Sequence, residues 1–194
     1  MKRPGKLVAE AQTVAARDFA TSLLTLVPPG DAVSFTDGAS RGNPGPAGAG
    51  TLLYIQGSST TIDYHSPLGT NTNNTAELWA IGMAIELVSR LPTRGRPYNL
   101  HIFTDSSYSI GCLIGGFVSK HNTALIKSIR RCSADSADCG ITNTIHYNWV
   151  PGHAGLDGNT HADFLANCGA DSSHNGTITT HHSTSLPTLS FLLD

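Results

Sequence analysis

Charge is what this 194-residue chain has least of: Asp, Glu, Lys and Arg make up 13% of it, and 12 basic against 14 acidic residues leave a formal net charge of -2. No basic balance advertises a polyanion partner, so any contact with nucleic acid has to come from local patches or from bound metal. Cysteine is also sparse. The four present, Cys112, Cys132, Cys139 and Cys168, form no C-x-x-C pair and no zinc-ligand spacing, and the expectation is buried free thiols in a reducing compartment. No run approaches the roughly 18 consecutive apolar residues of a membrane span. MKRPGK at the N-terminus is not followed by the apolar stretch and small-residue cleavage site of a signal peptide. These absences lead us to expect an intracellular protein without membrane contact, nucleus and cytoplasm not being distinguishable.

What is present is enough for one packed domain, since 39% of the residues are hydrophobic. Residues 1–30 are weakly helical and stop at Pro28-Pro29-Gly30, which reads as an N-terminal extension or linker. Residues 171–194, rich in Ser, Thr and His, read as a C-terminal tail in which His181 and His182 are solvated. Between them, AVSFTD, AGAGTLLYIQ and TTIDYHSP read as strands, the last two joined by a hairpin at Gly57-Ser58-Ser59. NNTAELWAIGMAIELVSRL has a helical period, with Asn73 or Asn74 as its cap. LHIFTD and TIHYNWV read as two further strands. SSYSIGCLIGGFV, TALIKSIRRC after Asn122, and GNTHADFLANCGA read as helices. The order βββαβααβα predicts an α/β fold with a five-stranded mixed sheet: an antiparallel meander, then parallel strands returning through helices.

The segment VSFTDGASRGNPGPAG places an acid, Asp37, at the end of an apolar strand and follows it with six glycines or prolines. A phosphate-cradling loop, a hairpin and a metal site are all open at that point. Pro44 and Pro46 remove two backbone donors and no Gly-Lys-Ser/Thr follows, which argues against the phosphate cradle. The tripeptide FTD recurs at Phe103-Thr104-Asp105. If the two strands lie side by side and parallel, both carboxylates emerge at the carboxyl edge, where open α/β sheets place ligands. Two such charges repel and call for a cation or a raised pKa. Glu77 lies on the helix before the second FTD strand and Asp163 on the last helix. Gathered at one edge, these acids make an all-oxygen site suited to Mg²⁺ or Mn²⁺. Singly, each acid also reads as a turn residue, a helix cap or part of a solvated face. His153 sits in the glycine-flanked loop Pro151-Gly152-His153-Ala154-Gly155, where proton traffic and plain surface exposure are both open.

Four blocks, TDGASRGNPGPAGAG, TNNTAEL, FTDSSY and WVPGHAGLDGNTHAD, resemble in order and spacing the signatures of type 1 ribonuclease H, over roughly residues 31–170. The PGHAG-x-x-GN wording is similar to ribonuclease H domains of retroelement polyproteins. The resemblance implies two divalent ions, Mg²⁺ or Mn²⁺, held by Asp37, Glu77, Asp105 and Asp163. It also implies that His153 assists proton transfer or product release, and that loss of Asp163 is softer than loss of Asp37 or Asp105. The implied activity is hydrolysis of the RNA strand of RNA–DNA hybrids, leaving 3′-hydroxyl and 5′-phosphate ends. Asn43, Asn74 and backbone groups from Gly38 through Ser40 to Gly42 fall where the family contacts the RNA strand or minor groove, with Asn73 and Ser106 as further nucleic-acid contacts. Thr72 and Asn122 fall where it holds a DNA-strand phosphate, and Tyr108 beside a DNA sugar. The polyprotein likeness adds a reverse transcriptase domain as a partner.

One departure stands out. The basic, Trp-containing helical protrusion of many cellular relatives is absent: IGCLIGGFVSKH leads from Ile110 to Asn122 with Lys120 as the sole fixed positive charge. Hybrid affinity is therefore expected to be weak unless Lys127, Arg130 and Arg131, which share a helix face, or an attached domain contribute. The competing readings are a free-standing cellular ribonuclease H, a catalytically silent hybrid-binding module, and a DNA transposase or integrase on a similar fold.

Overall fold

The computed structural model describes residues 4–92 and 95–175, with side chains from residue 11 onward. Among these residues the chain runs α1 (Pro4–Leu26), β1 (Ala32–Ser40), β2 (Gly45–Ile55), β3 (Thr61–Asn71), α2 (Asn73–Ser89), β4 (Tyr98–Thr104), α3 (Ser107–Ile114), α4 (Thr123–Asp138), β5 (Thr142–Trp149) and α5 (Asp157–His174). The strands form one five-stranded mixed sheet in the order β3-β2-β1-β4-β5. β1, β2 and β3 pair antiparallel; β4 pairs parallel with β1 and β5 parallel with β4. This is the α/β architecture that the alternation of patterns predicts.

The two faces of the sheet carry separate cores. On one, α2 is buried along nearly its whole length between the sheet and α3 and α4, with Leu78, Ile81, Ile85 and Val88 fully enclosed. A helix apolar on most sides belongs in such a sandwiched position. On the other face, Val33, Phe35, Phe103, Val150, Leu156 and Ala162 cluster under α5 and the end of α1. Phe35 and Phe103, one from each FTD repeat, stack with ring centroids 5.1 Å apart. The N-terminal segment contributes to this second core: Ala20 and Val27 are buried there, with Leu23 and Leu24 packed alongside. Pro28-Pro29-Gly30 then turns the chain back toward the sheet, where the Gly30 N–H donates to the Gln56 carbonyl at 2.8 Å.

Several local expectations shift. β1 does not stop at Asp37 but continues to Ser40, because β2 keeps pairing with it down to Ser40↔Ala47 after the parallel pairing with β4 has ended at Phe35↔Phe103. Thr72, not Asn73 or Asn74, caps α2, its hydroxyl accepting from the Thr75 N–H at 3.2 Å. α3 ends at Ile114, four residues short of Val118, because Gly115 takes a left-handed conformation (φ +86°) that stops the helix. Cys112 is buried, but Cys139 is exposed. α5 runs on to His174, and the Ser173 hydroxyl donates to the Ala47 carbonyl at 2.7 Å. The tail from residue 176, His181 and His182 included, lies outside the described residues.

Small residues set how closely the helices approach. A Cβ on Gly50 of β2 would fall 2.3 Å from the Ala166 nitrogen and 2.4 Å from the Ala162 carbonyl of α5. A Cβ on Gly38 of β1 would fall 2.3 Å from the Glu77 nitrogen of α2. The two helices that carry Glu77 and Asp163 are thus seated directly on backbone. Gly50→Ala is expected to lower the unfolding free energy by about 2–3 kcal/mol through overpacking. Chemical denaturation measures this, and an unchanged midpoint would mean that α5 lifts off β2 without cost.

Candidate active site

The parallel register does the first part of the assembly. Because Phe35 pairs with Phe103, the two FTD repeats are level, and Asp37 and Asp105 leave the sheet side by side. Here β1 turns its pairing wholly to β2 while β4 ends, so a crevice opens at the carboxyl edge of the parallel strands. α2 brings Glu77 into it from one side of the sheet, held close by the Gly38 contact. One carboxylate oxygen from each of Asp37, Glu77 and Asp105 lies within 4.8 Å of the others. α5 places Asp163 on the wall of the same cleft, which encloses about 510 Å³. Asp163 is outside the tight three-acid group, and Asn167, one turn later, donates to its carboxylate at 3.1 Å.

This much negative charge is poorly tolerated. Burial, then the charges of Asp105 and Asp163, push the Asp37 carboxyl from 3.8 up to about 7, although the Gly38 N–H donates to it at 2.8 Å. Burial, then Asp37 and Asp105, hold Glu77 well above the usual carboxylate range. Burial also raises Asp105, which His153 opposes. The Glu77 Oε2 atom is buried without a hydrogen-bond partner. An orphaned carboxylate oxygen amid other carboxylates fits a hard divalent cation such as Mg²⁺ or Mn²⁺.

Of the other residues singled out from the sequence, Gly38, Ser40, Asn73, Asn74, Ser106, Tyr108 and His153 line the cleft. His153 is exposed at the rim, in a left-handed backbone conformation (φ +53°). Gly42, Asn43, Thr72 and Asn122 do not line it. Asn43 lies next to its edge, its side-chain oxygen accepting from the Asn73 N–H at 3.2 Å. Thr72 and Asn122 are brought together by a residue the sequence reading passed over: Thr75 bonds the Thr72 hydroxyl at 2.8 Å and donates to Asn122 at 3.0 Å. Asn122 reaches the Tyr108 hydroxyl at 3.5 Å, and that hydroxyl meets Ser119 at 2.9 Å. Arg41, Ser107 and Asn167 also line the cleft without having been singled out. Asn167 carried a readable signal, its i+4 spacing from Asp163; Arg41 and Ser107 carried none beyond adjacency to the motifs.

The residues from β1 through α5 that build this site coincide with one family pattern. The profile of the RNase H family matches residues 29–171. The chain belongs to the RNase H family. Ribonuclease H of Nitrosococcus oceani is 37% identical over 142 residues, 68% of this chain and 88% of that protein. Ribonuclease H of Alkalilimnicola ehrlichii is 36% identical over 148 residues, 71% of this chain and 93% of that one. Among solved structures, the N-terminal RNase H domain of a Mycobacterium tuberculosis protein aligns with a TM-score of 0.61 at 28% identity, covering 76% of this chain and 98% of that one. RNase H1 of the archaeon Halobacterium salinarum gives 0.56 at 28%, covering 74% and 99%.

Several of the described basic residues of this RNase H have partners within the chain. Arg41 pairs with Asp171 at 2.9 Å and Arg131 with Asp135 at 3.7 Å. Arg130 does not stand free on a shared face with Lys127 and Arg131, because its guanidinium donates to the Cys112 and Leu113 carbonyls at the end of α3. The raised Asp37 pKa also has a sign for stability. The native state binds more protons than the unfolded chain between about pH 4 and about pH 7, so metal-free stability is lost as pH rises through that window. In EDTA, Asp37→Asn is therefore expected to be more stable than the parent at about pH 8, with the gap closing at about pH 4. Thermal unfolding at both pH values measures it. A variant no more stable than the parent at the higher pH contradicts the repulsion.

Proposed function

We propose that this chain is a type 1 ribonuclease H that cuts the RNA strand of RNA–DNA hybrids with two divalent ions, Mg²⁺ or Mn²⁺. That it is a ribonuclease H, a hydrolase, rests on the family match and on its curated relatives. The observation that carries the mechanism is the convergence of Asp37, Glu77 and Asp105 from three elements, within 4.8 Å of one another and with a buried, unpartnered oxygen on Glu77.

In this reading Asp37, Glu77, Asp105 and Asp163 hold the ions. When bound, these supply Lewis-acid activation of the attacking water and neutralise charge at the departing 3′ oxygen. With the ions held there, the scissile phosphate would lie at the mouth of the cleft, and water attacking phosphorus opposite the departing 3′ oxygen would break the P–O3′ bond and leave 3′-hydroxyl and 5′-phosphate ends. Asp163, half-exposed and outside the tight group, has the weakest hold, and its loss is the softest of the four. His153 stands at the rim, close enough to Asp105 to counter its raised pKa, and can carry a proton between the cleft and solvent.

Substrate choice follows from the walls. RNA differs from DNA by its 2′-hydroxyl, which needs a donor or acceptor at close range. Gly38, Ser40, Asn73, Asn74 and Ser106 present backbone and small polar side chains inside the cleft, with Gly42 and Asn43 at its border, and we assign the RNA strand to them. The Thr72–Thr75–Asn122 cluster, continued by Tyr108, suits a phosphate and sugar of the DNA strand.

The curated relatives are themselves named Ribonuclease H and are matched over 88% and 93% of their length, which favours an enzyme acting without a fused partner. A retroelement context with an attached reverse transcriptase is the second reading. It is supported by the PGHAG-x-x-GN wording of the His153 block and by the linker-like composition of the flanking segments. The mass of the natural product separates the two.

Labelled hybrid, duplex DNA and duplex RNA, incubated with Mg²⁺ or with EDTA, test the proposal. Metal-dependent cut of the RNA in the hybrid alone is expected, and its absence would sink the proposal. Asp37→Asn and Asp105→Asn are each expected to lower the rate by roughly 10²–10³-fold or more while the fold persists, and Asp163→Asn by less. Hybrid binding is expected to be weak and to fall as salt rises, because the phosphate contacts that form release counterions. A flat response over a salt series contradicts that.

A further inference from the structure

We propose that Trp149 is a positioning residue for the nuclease reaction: its indole fixes the backbone of Asp105 and ties the His153 loop to that carboxylate. This rests on the nuclease reading above. β4 delivers Asp105 at the point where sheet pairing runs out. The last parallel pair is Thr104↔Trp149, and the Val150 N–H, donating to the Thr104 carbonyl at 3.0 Å, follows it. The Asp105 carbonyl lies one residue beyond. It accepts from the Ser107 N–H at 3.1 Å within its own turn, and from the Trp149 indole N–H, also at 3.1 Å, across from β5.

Trp149 is 49% exposed at the end of an edge strand. About half of this large residue stays in solvent, so packing is only part of its account. Its directed contact is the hydrogen bond to Asp105. The same segment closes on the other end of that residue: the space a Cβ on Gly152 would need is taken by the Asp105 Oδ2 atom, 2.3 Å away. The segment from Trp149 to Gly152 is therefore hydrogen-bonded to Asp105 at its carbonyl and packed close to its carboxylate, and His153 is the next residue. The direction in which the Asp105 carboxylate points and the seat of the His153 loop are set by one clamp. A carboxylate crowded by Asp37, Glu77 and Asp163 needs such outside support to keep an orientation useful for a cation, as the partners of metal ligands generally provide.

Two substitutions on the full chain test this. Trp149→Phe keeps an aromatic ring on β5 and removes the N–H. Gly152→Ala places a methyl group against the carboxylate, at a position whose backbone is not left-handed. Both are expected to weaken Mn²⁺ binding, read by isothermal titration calorimetry, and to lower kcat, each by about tenfold, with KM for the hybrid unchanged. Thermal unfolding in EDTA is expected to stay close to the parent. Variants that bind Mn²⁺ and turn over as the parent does overturn the proposal. So does lowered thermal stability with unaltered Mn²⁺ affinity, which marks a merely structural role. A parent that binds Mn²⁺ but cuts no hybrid defeats the nuclease reading instead, and the Mn²⁺ titration of the variants still reads the clamp.

Discussion

Mutual repulsion of buried carboxylates is the constraint around which this molecule is arranged. Asp37, Glu77 and Asp105 would separate if the chain let them, since each loses hydration and gains like-charged neighbours on folding. They stay together because each belongs to an element that cannot move. β1 is the central strand, paired on both sides; β4 is locked to it in register; α2 lies on β1 with its backbone where a Cβ of Gly38 would be. The stacked phenyl rings of Phe35 and Phe103 and the enclosed core around α2 supply the stability that holds the charges in place. A bound divalent cation would remove the conflict, which is why the cluster suits a metal site.

That arrangement also orders the rest of the cleft. Asp163 comes from α5, which reaches the sheet so closely only because Gly50 leaves room. His153 follows a segment that bonds the Asp105 carbonyl through Trp149 and passes close to its carboxylate at Gly152. Around the acids the walls carry small polar side chains, and Arg41, which also lines the cleft, pairs with Asp171, while Arg130 is held by the end of α3. An enzyme built this way relies on shape and on metal charge to hold a polyanion more than on a basic surface of its own.

The repeated FTD was the most informative feature in the sequence, because a strand that ends in an acid and occurs twice predicts its own geometry once the strands are parallel. The order of elements from β1 to α5 is also legible in the apolar patterns and the turn residues between them, whereas α1 shows only a weak helical pattern. Asp37 was misplaced at a strand tip because Gly38-Ala39-Ser40 has turn-like composition, and only the antiparallel partner Ala47–Gly50, itself made of small residues, keeps it extended. Thr72 was missed as the cap because TNTNNT offers several residues of similar capping strength, and the choice falls to tertiary contacts such as Thr75 with Asn122. The burial of Ala20 and Val27 was not legible either: a weak helical pattern does not say which surface it will cover. Arg130 looked available on its helix face, and its capture by carbonyls of α3 depends on the short loop between the two helices.

The central claim is that the crowded acids exist to hold divalent cations against a hybrid. Anomalous diffraction from crystals grown with Mn²⁺ and a cleavage-resistant RNA–DNA hybrid tests it most directly. The account predicts two manganese peaks about 4 Å apart, bounded by Asp37, Glu77, Asp105 and Asp163, with the scissile phosphate of the RNA strand between them. A hybrid seated in the cleft with no manganese among these carboxylates would contradict it.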